Sequence, residues 1–230
     1  MFRSIAEQGT FSLKFKRYGT SVLGAPLYYL PSVLKTELLV IAGIHGEEAE
    51  GVFLLSRIIR SLNQPLEKTA FVLAANPDGL FLGTRANANG VDLNRNWPTK
   101  NWKKDKCLSR PYLESEPEIE LSAGKSGASE PETKALLALI QKLSPEQILA
   151  IHSPLACIDS LKRTPVVLAL EKVFSLPWVE DIGYPTPGSL GSWCKENKVE
   201  CITLELPRQS GEEIVRDYQK GFTEILINGV

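Results

Sequence analysis

Histidine is scarce in this sequence. Its 230 residues carry only two, His45 and His152. Any chemistry that needs imidazole must use these, so a site built on both is a demanding match. Long apolar runs are also missing. The longest, such as Leu38-Leu-Val-Ile-Ala-Gly-Ile44, have the length of a strand and fall short of the ~20 residues that cross a bilayer. Residues 1–10 contain no apolar stretch followed by a small-residue cleavage site, so no signal peptide is expected. Neither sign of charge is in excess. The net charge of -1 argues against nucleic acid as the main partner, because phosphate binding leaves a strongly basic face. Cysteine is sparse too: four residues do not make a disulfide framework. Cys157, Cys194 and Cys201 match no zinc-ribbon or zinc-finger spacing and read as small buried thiols, with a Cys194–Cys201 disulfide open only in an oxidising compartment. A reducing, cytoplasmic setting is expected.

What is present is an alternation of strand-like and helix-like segments. Continuous apolar runs at 38–44, 70–75, 147–151 and 200–206 suit buried parallel strands. Asn76-Pro-Asp-Gly79 is a strong turn signal after the second run. Helical spacing follows the first run, and recurs from about 132 to 143, over 164–174, after Gly188, and from Ser210 onwards. Ser129-Glu-Pro-Glu132 and Ser210-Gly-Glu-Glu213 have the form of capping boxes. Residues 99–130 are polar and aperiodic, a long excursion expected at the rim of a site. The pattern predicts one α/β domain over residues 1–230, with a mixed, mainly parallel central sheet flanked by helices. In such sheets sites lie at the carboxyl ends of strands, and His45, Asn76, His152 and Glu205 all fall at or near strand ends.

His45 and Glu48 are three residues apart directly after a strand, a spacing at which a tight turn into a helix aims both side chains at one point. His152 ends a distant strand that can lie beside the first. Two imidazoles and a carboxylate form a known hydrolytic zinc set with one position open for water. His-x-x-Glu alone arises often by chance, and His152 alone could be an ordinary core histidine.

The order of the surrounding motifs decides between these readings. His45-Gly-Glu-Glu48, Asn76-Pro-Asp-Gly79, Val91-Asp-Leu-Asn-Arg-Asn-Trp97, Ile151-His-Ser153 and Leu204-Glu-Leu206 together resemble the carboxypeptidase A-like zinc carboxypeptidases. Arg85-Ala-Asn-Ala-Asn-Gly-Val-Asp-Leu-Asn-Arg-Asn96, the Pro154-Leu-Ala-Cys-Ile158 run and Gly188-Ser-Leu-Gly-Ser-Trp-Cys194 are similar to that family's bacterial murein peptide amidase branch. That branch is cytoplasmic and cuts the γ-D-glutamyl–meso-diaminopimelate bond of murein tripeptide in cell-wall recycling.

The resemblance implies one zinc ion per chain, held by His45, Glu48 and His152. It makes Glu205 the base that takes a proton from the water activated by the metal. Arg85 resembles the arginine that stabilises the oxyanion. Asn94 and Arg95 resemble the pair that holds the substrate's free carboxylate. Tyr184 takes the place of a mobile tyrosine, one residue out of step with the digestive enzymes, and Leu190 that of the side-chain pocket floor. A cis Ser153–Pro154 bond is also implied. The expected partner is a small murein peptide rather than nucleic acid or membrane, with homodimerisation left open. Two other readings stay in view: an acyl-amino-acid deacylase of the aspartoacylase or succinylglutamate desuccinylase type, and a binding module that kept the fold without the chemistry.

Overall fold

The structure is a computed structural model that describes residues 12–109 and 119–228. Residues 1–10, read above as carrying no signal peptide, lie outside the described residues. So does part of the 99–130 excursion.

A six-stranded sheet forms the centre, in the order β4-β3-β7-β10-β8-β9. Its strands are β3 (Leu38–Ala42), β4 (Thr69–Val72), β7 (Gln147–His152), β8 (Cys157–Ser160), β9 (Trp178–Val179) and β10 (Glu200–Glu205). β4, β3, β7 and β10 run parallel, whereas β8 is antiparallel to β10. The expected mixed, mainly parallel sheet is therefore found. Two small antiparallel pairs flank it: β1 (Lys16–Thr20) with β2 (Pro26–Tyr29), and β5 (Cys107–Ser109) with β6 (Ile119–Leu121). The second pair gives the 99–130 excursion two short strands of its own.

Strand alternation divides the core in two. Successive side chains point to opposite faces of a sheet. Val40, Ala42, Leu149, Ile151, Ile202 and Leu204 pack with Leu54, Leu55, Val167 and Phe222. Those partners come from α1 (Ala49–Ser61), α4 (Pro165–Phe174) and α6 (Gly211–Asn228). Leu39, Ile41, Ile148 and Ala150 pack instead with Leu136, Leu139, Leu190 and Trp193, which belong to α3 (Pro131–Leu143) and α5 (Leu190–Asn197). The result is a three-layer α/β/α sandwich. Fully burying one such aliphatic side chain stabilises the fold by about 1.5–3 kcal/mol.

This partition settles which way Glu205 faces. Ile202 and Leu204 enter the first cluster, so the next alternate position, Glu205, turns to the face that carries α3 and α5. His152 is its ladder partner across the β7–β10 pair and shares that face.

Two local expectations change in the structure. Asn76-Pro-Asp-Gly79 does not simply turn: it opens a short helix, α2 (Pro77–Leu82), with the Asn76 side chain accepting from the Gly79 amide. Ser129 does not cap α3. Pro131 is the first helical residue and its ring keeps Glu130 extended, so Glu130 is the cap residue, without a side-chain cap bond. Ser129 donates instead to the Glu130 carboxylate. The Pro154–Ile158 run leads into β8, the antiparallel strand. The Ser210 capping box does form: the Glu213 amide donates to Ser210 Oγ at 3.3 Å and Glu213 Oε2 accepts from the Ser210 amide at 2.9 Å. Ser153–Pro154 is cis, and all four cysteines are free.

Candidate metal centre

Three segments far apart in the chain converge at the carboxyl end of the sheet. His45 follows β3 in a loop pressed against the α2 segment. A Cβ on Gly46 would lie 2.0 Å from the Gly79 carbonyl carbon, so no other residue fits without moving that loop. Asn76 Nδ2 donates to the Ile44 carbonyl at 3.3 Å, which ties the α2 cap to the same turn. Glu48 is the residue from which α1 starts. His152 is the last residue of β7.

Their donor atoms face one another. His45 Nδ1 lies 2.6 Å from Glu48 Oε1, His152 Nδ1 lies 2.7 Å from Glu48 Oε2, and the two Nδ1 atoms are 3.1 Å apart. One donor atom from each residue lies within 4.8 Å of the others. All three residues are buried. Two nitrogens at zinc-bond distance on a tetrahedral ion stand about 3.3 Å apart, close to the spacing seen.

Charge points the same way. Glu48, Asp92 and Glu205 are each less than a tenth exposed. Against these three carboxylates stands the guanidinium of Arg85, which reaches Glu48 Oε1 at 3.2 Å and Asp92 Oδ2 at 3.1 Å. With neutral imidazoles the centre holds two more negative charges than positive ones, which a divalent cation balances. Donor set, spacing and charge fit zinc.

Asp92 lies within the Val91–Trp97 motif, whose pattern alone assigns it no role. It stands behind His45, with Oδ1 3.3 Å from Nε2, an ion-pair distance rather than a short hydrogen bond. Carboxylates in this place fix the tautomer and orientation of a ligating ring. The signal available in the sequence was an acidic residue inside Asp-Leu-Asn-Arg, but no spacing rule ties it to a histidine 47 positions earlier.

The electrostatics of the cluster are mutual. Burial and Arg85 push His45 towards neutrality, but Glu48 and Asp92 outweigh them and hold its pKa above the usual value. Burial alone would raise Glu48; His45 and His152 instead hold it well below the carboxylate range. Asp92 is likewise depressed against its burial, mainly by Arg85 and then by His45. Glu205 differs. Burial raises its pKa, opposed by His152. Its one hydrogen bond among those to described residues comes from the Leu155 amide at 3.4 Å, so the carboxylate keeps most of its accepting capacity.

The remaining residues singled out in the sequence frame the approach. The Asn94 carbonyl accepts from Arg95 Nη1 at 2.8 Å, and Asn94 Oδ1 accepts from the Leu190 amide at 2.9 Å. Leu190 is buried beside Trp97 and Trp193 at the start of α5. Tyr184 is half-exposed. Burial and the charge of Glu205 raise its phenol pKa, and Arg95 opposes them. Arg95, Tyr184 and Pro187 share a cavity of about 300 Å³.

Comparison with known proteins agrees with this geometry. The sequence profile described as zinc carboxypeptidase matches residues 3–155. Murein peptide amidase A of Escherichia coli (strain K12) is 41% identical over 227 residues, covering 97% of this chain and 94% of that protein. Murein peptide amidase A of Vibrio campbellii is 39% identical over 224 residues, covering 96% and 90%. The crystal structure of a murein-tripeptide amidase from Escherichia coli O157 superposes with a TM-score of 0.93 at 42% identity, covering 98% of this chain and 96% of that one. Carboxypeptidase A of Helicoverpa armigera, at 18% identity and a TM-score of 0.71 over 94% of this chain and 67% of its own, shares the fold. With its buried pair of imidazoles around one carboxylate, the chain belongs to the zinc carboxypeptidase family and is a zinc-dependent hydrolase.

Proposed function

We propose that this protein hydrolyses the γ-D-glutamyl–meso-diaminopimelate amide of murein tripeptide, in the cytoplasm, as a step of cell-wall recycling. The reading treats residues 1–230 as one catalytic domain. It places one zinc ion per chain on His45, Glu48 and His152. The observation that carries the chemistry is the position of Glu205, directly opposite His152 in the parallel ladder and on the same face of the sheet. The substrate class is supported by about 40% identity to murein peptide amidases along nearly the whole chain.

Zinc held by these residues supplies Lewis acidity, which lowers the pKa of a water to ~7 and polarises a carbonyl. Glu205 accepts a proton from the attacking water and returns it to the nitrogen of the leaving amine. It is buried, and its sparse hydrogen bonding leaves its oxygens available for both transfers. Arg85 sits against Glu48 with its guanidinium already in the centre, placed to stabilise charge that develops on the carbonyl oxygen. Arg95 offers a planar fork to the free carboxylate of the leaving residue, with Asn94 beside it. Tyr184 covers the substrate from the rim, and Leu190 forms part of the apolar wall beneath.

The test is incubation of zinc-loaded protein with L-Ala-γ-D-Glu-meso-diaminopimelate, with free diaminopimelate followed by mass spectrometry. N-acetylaspartate and N-succinylglutamate serve as comparison substrates. Release of diaminopimelate with a kcat/KM well above either acyl amino acid is expected. Faster deacylation than tripeptide cleavage would overturn the reading.

A further inference from the structure

The cavity beside Arg95 has an outer wall that the catalytic machinery does not use. Its volume of about 300 Å³ is at the lower end of the range for small-molecule sites. One side is formed by Arg95, Tyr184 and Pro187. Lys103, Asp105, Lys106 and Cys107, where the chain enters β5, also line it. Lys103, Asp105 and Cys107 line the cavity and Lys104 does not. Lys106 also borders the cavity, but its ammonium is engaged by Glu120 on β6.

Lys103 and Asp105 carry opposite charges on the same wall. Neither has a hydrogen bond or ion pair among the described residues, with each other or with a neighbour. Both side chains are exposed, so each is free to meet a ligand charge. Both border a concave space that the Arg95 side chain also lines. The segment also lies within the field of the metal centre. Burial, and then the charge of Asp92, raises the Cys107 thiol to about 11, while Arg95 and Arg85 oppose them.

We propose that this wall is a second recognition subsite, in which Lys103 pairs with a carboxylate and Asp105 with an ammonium at the far end of the leaving residue. Arg95 then holds the carboxylate next to the scissile bond, and the opposite pair reads the zwitterion beyond it. The substrate class is a peptide ending in a diamino dicarboxylic acid. The inference rests on the murein-peptide reading above and assigns the discrimination within it. An amino acid with one charged end group satisfies one member of the pair and leaves the other unmatched.

The test uses the zinc-loaded full chain and three tripeptides of the form L-Ala-γ-D-Glu-X. X is meso-diaminopimelate, L-lysine (no far carboxylate) or L-2-aminopimelate (no far ammonium). For Lys103→Ala, the ratio of kcat/KM for the diaminopimelate peptide over the lysine peptide should fall about fivefold, through KM, as for an exposed charge pair. For Asp105→Asn, the ratio of the diaminopimelate peptide over the aminopimelate peptide should fall by a similar factor. Lys104→Ala, on the same segment but off the wall, should leave both ratios unchanged. Melting temperatures matched to the parent establish that the variants are folded. If the parent releases diaminopimelate and both ratios survive both substitutions, the subsite is overturned while the proposed reaction stands. If the parent releases none, the reaction falls and the subsite with it.

Discussion

Asp92 holds His45 from behind: its Oδ1 lies 3.3 Å from Nε2, on the side of the ring away from the Nδ1 that faces Glu48 and His152. The same carboxylate accepts from Arg85 Nε through Oδ2 at 3.1 Å. One buried side chain thus contacts both an imidazole of the three-donor cluster and the Arg85 guanidinium.

Asp92→Asn keeps the shape and removes the charge. Zinc affinity should fall about 10–100-fold, as for other outer-shell carboxylates. Competition against a chromophoric chelator measures it. Affinity unchanged within twofold would mean that Asp92 does not support the ring.

Glu205→Gln should lower kcat by about 10²–10⁴-fold, the range for loss of a general base. Bound zinc, measured by mass spectrometry of the metal, should stay at the parent level because Glu205 is not one of the three converging donors. Turnover that survives the substitution would remove Glu205 from the mechanism.

Arg85 and Arg95 should separate kinetically. Arg85 reaches the buried carboxylates of the centre, whereas Arg95 borders the open cavity. Arg85→Ala is expected to lower kcat by about 10²–10³-fold, the cost of one oxyanion donor. Arg95→Ala should act mainly by raising KM, as a group that binds ground state and transition state alike. Steady-state kinetics on the tripeptide reads both, and the reverse pattern would exchange the roles.

Asp159 makes stability depend on pH. Its strand pairing with Thr203 places it on the Glu205 face of the sheet. Burial, then Asp181 and Glu205, push its carboxyl up to about 6. The unfolded chain has an aspartate pKa of about 3.9, so between those values the native state binds more protons than the unfolded one. Stability from this group therefore declines as pH rises from about 4 through 6, and the penalty is fully present above 6. Asp159→Asn should melt about 2 °C above the parent at pH 7.5, an effect kept small by solvent screening, with the gap closing towards pH 4.5. Melts of both proteins across this range check it; a gap that does not change with pH contradicts the assignment.

The sheet strands at 38–44, 70–75, 147–151 and 200–206 were legible because each is a short apolar run bounded by turn or helix signals. β8 was not. Cys157-Ile-Asp-Ser160 mixes polar and apolar residues, and its strand conformation comes from pairing with β10. The Ser129 cap failed for a local reason, since Pro131 shifted the helix start by one residue.

Sequence alone singled out the two imidazoles, because two histidines in the whole chain left no alternative pair and the motifs around them came in a fixed order. It also placed both histidines at or just after strand ends, where periodicity stops. Tertiary structure decided what periodicity cannot carry: which face Glu205 takes, that Asp92 stands behind His45, and that residues 103–107 wall a cavity next to Arg95. Each depends on contacts between segments far apart in the chain, and one chain's local pattern holds no record of what packs against it.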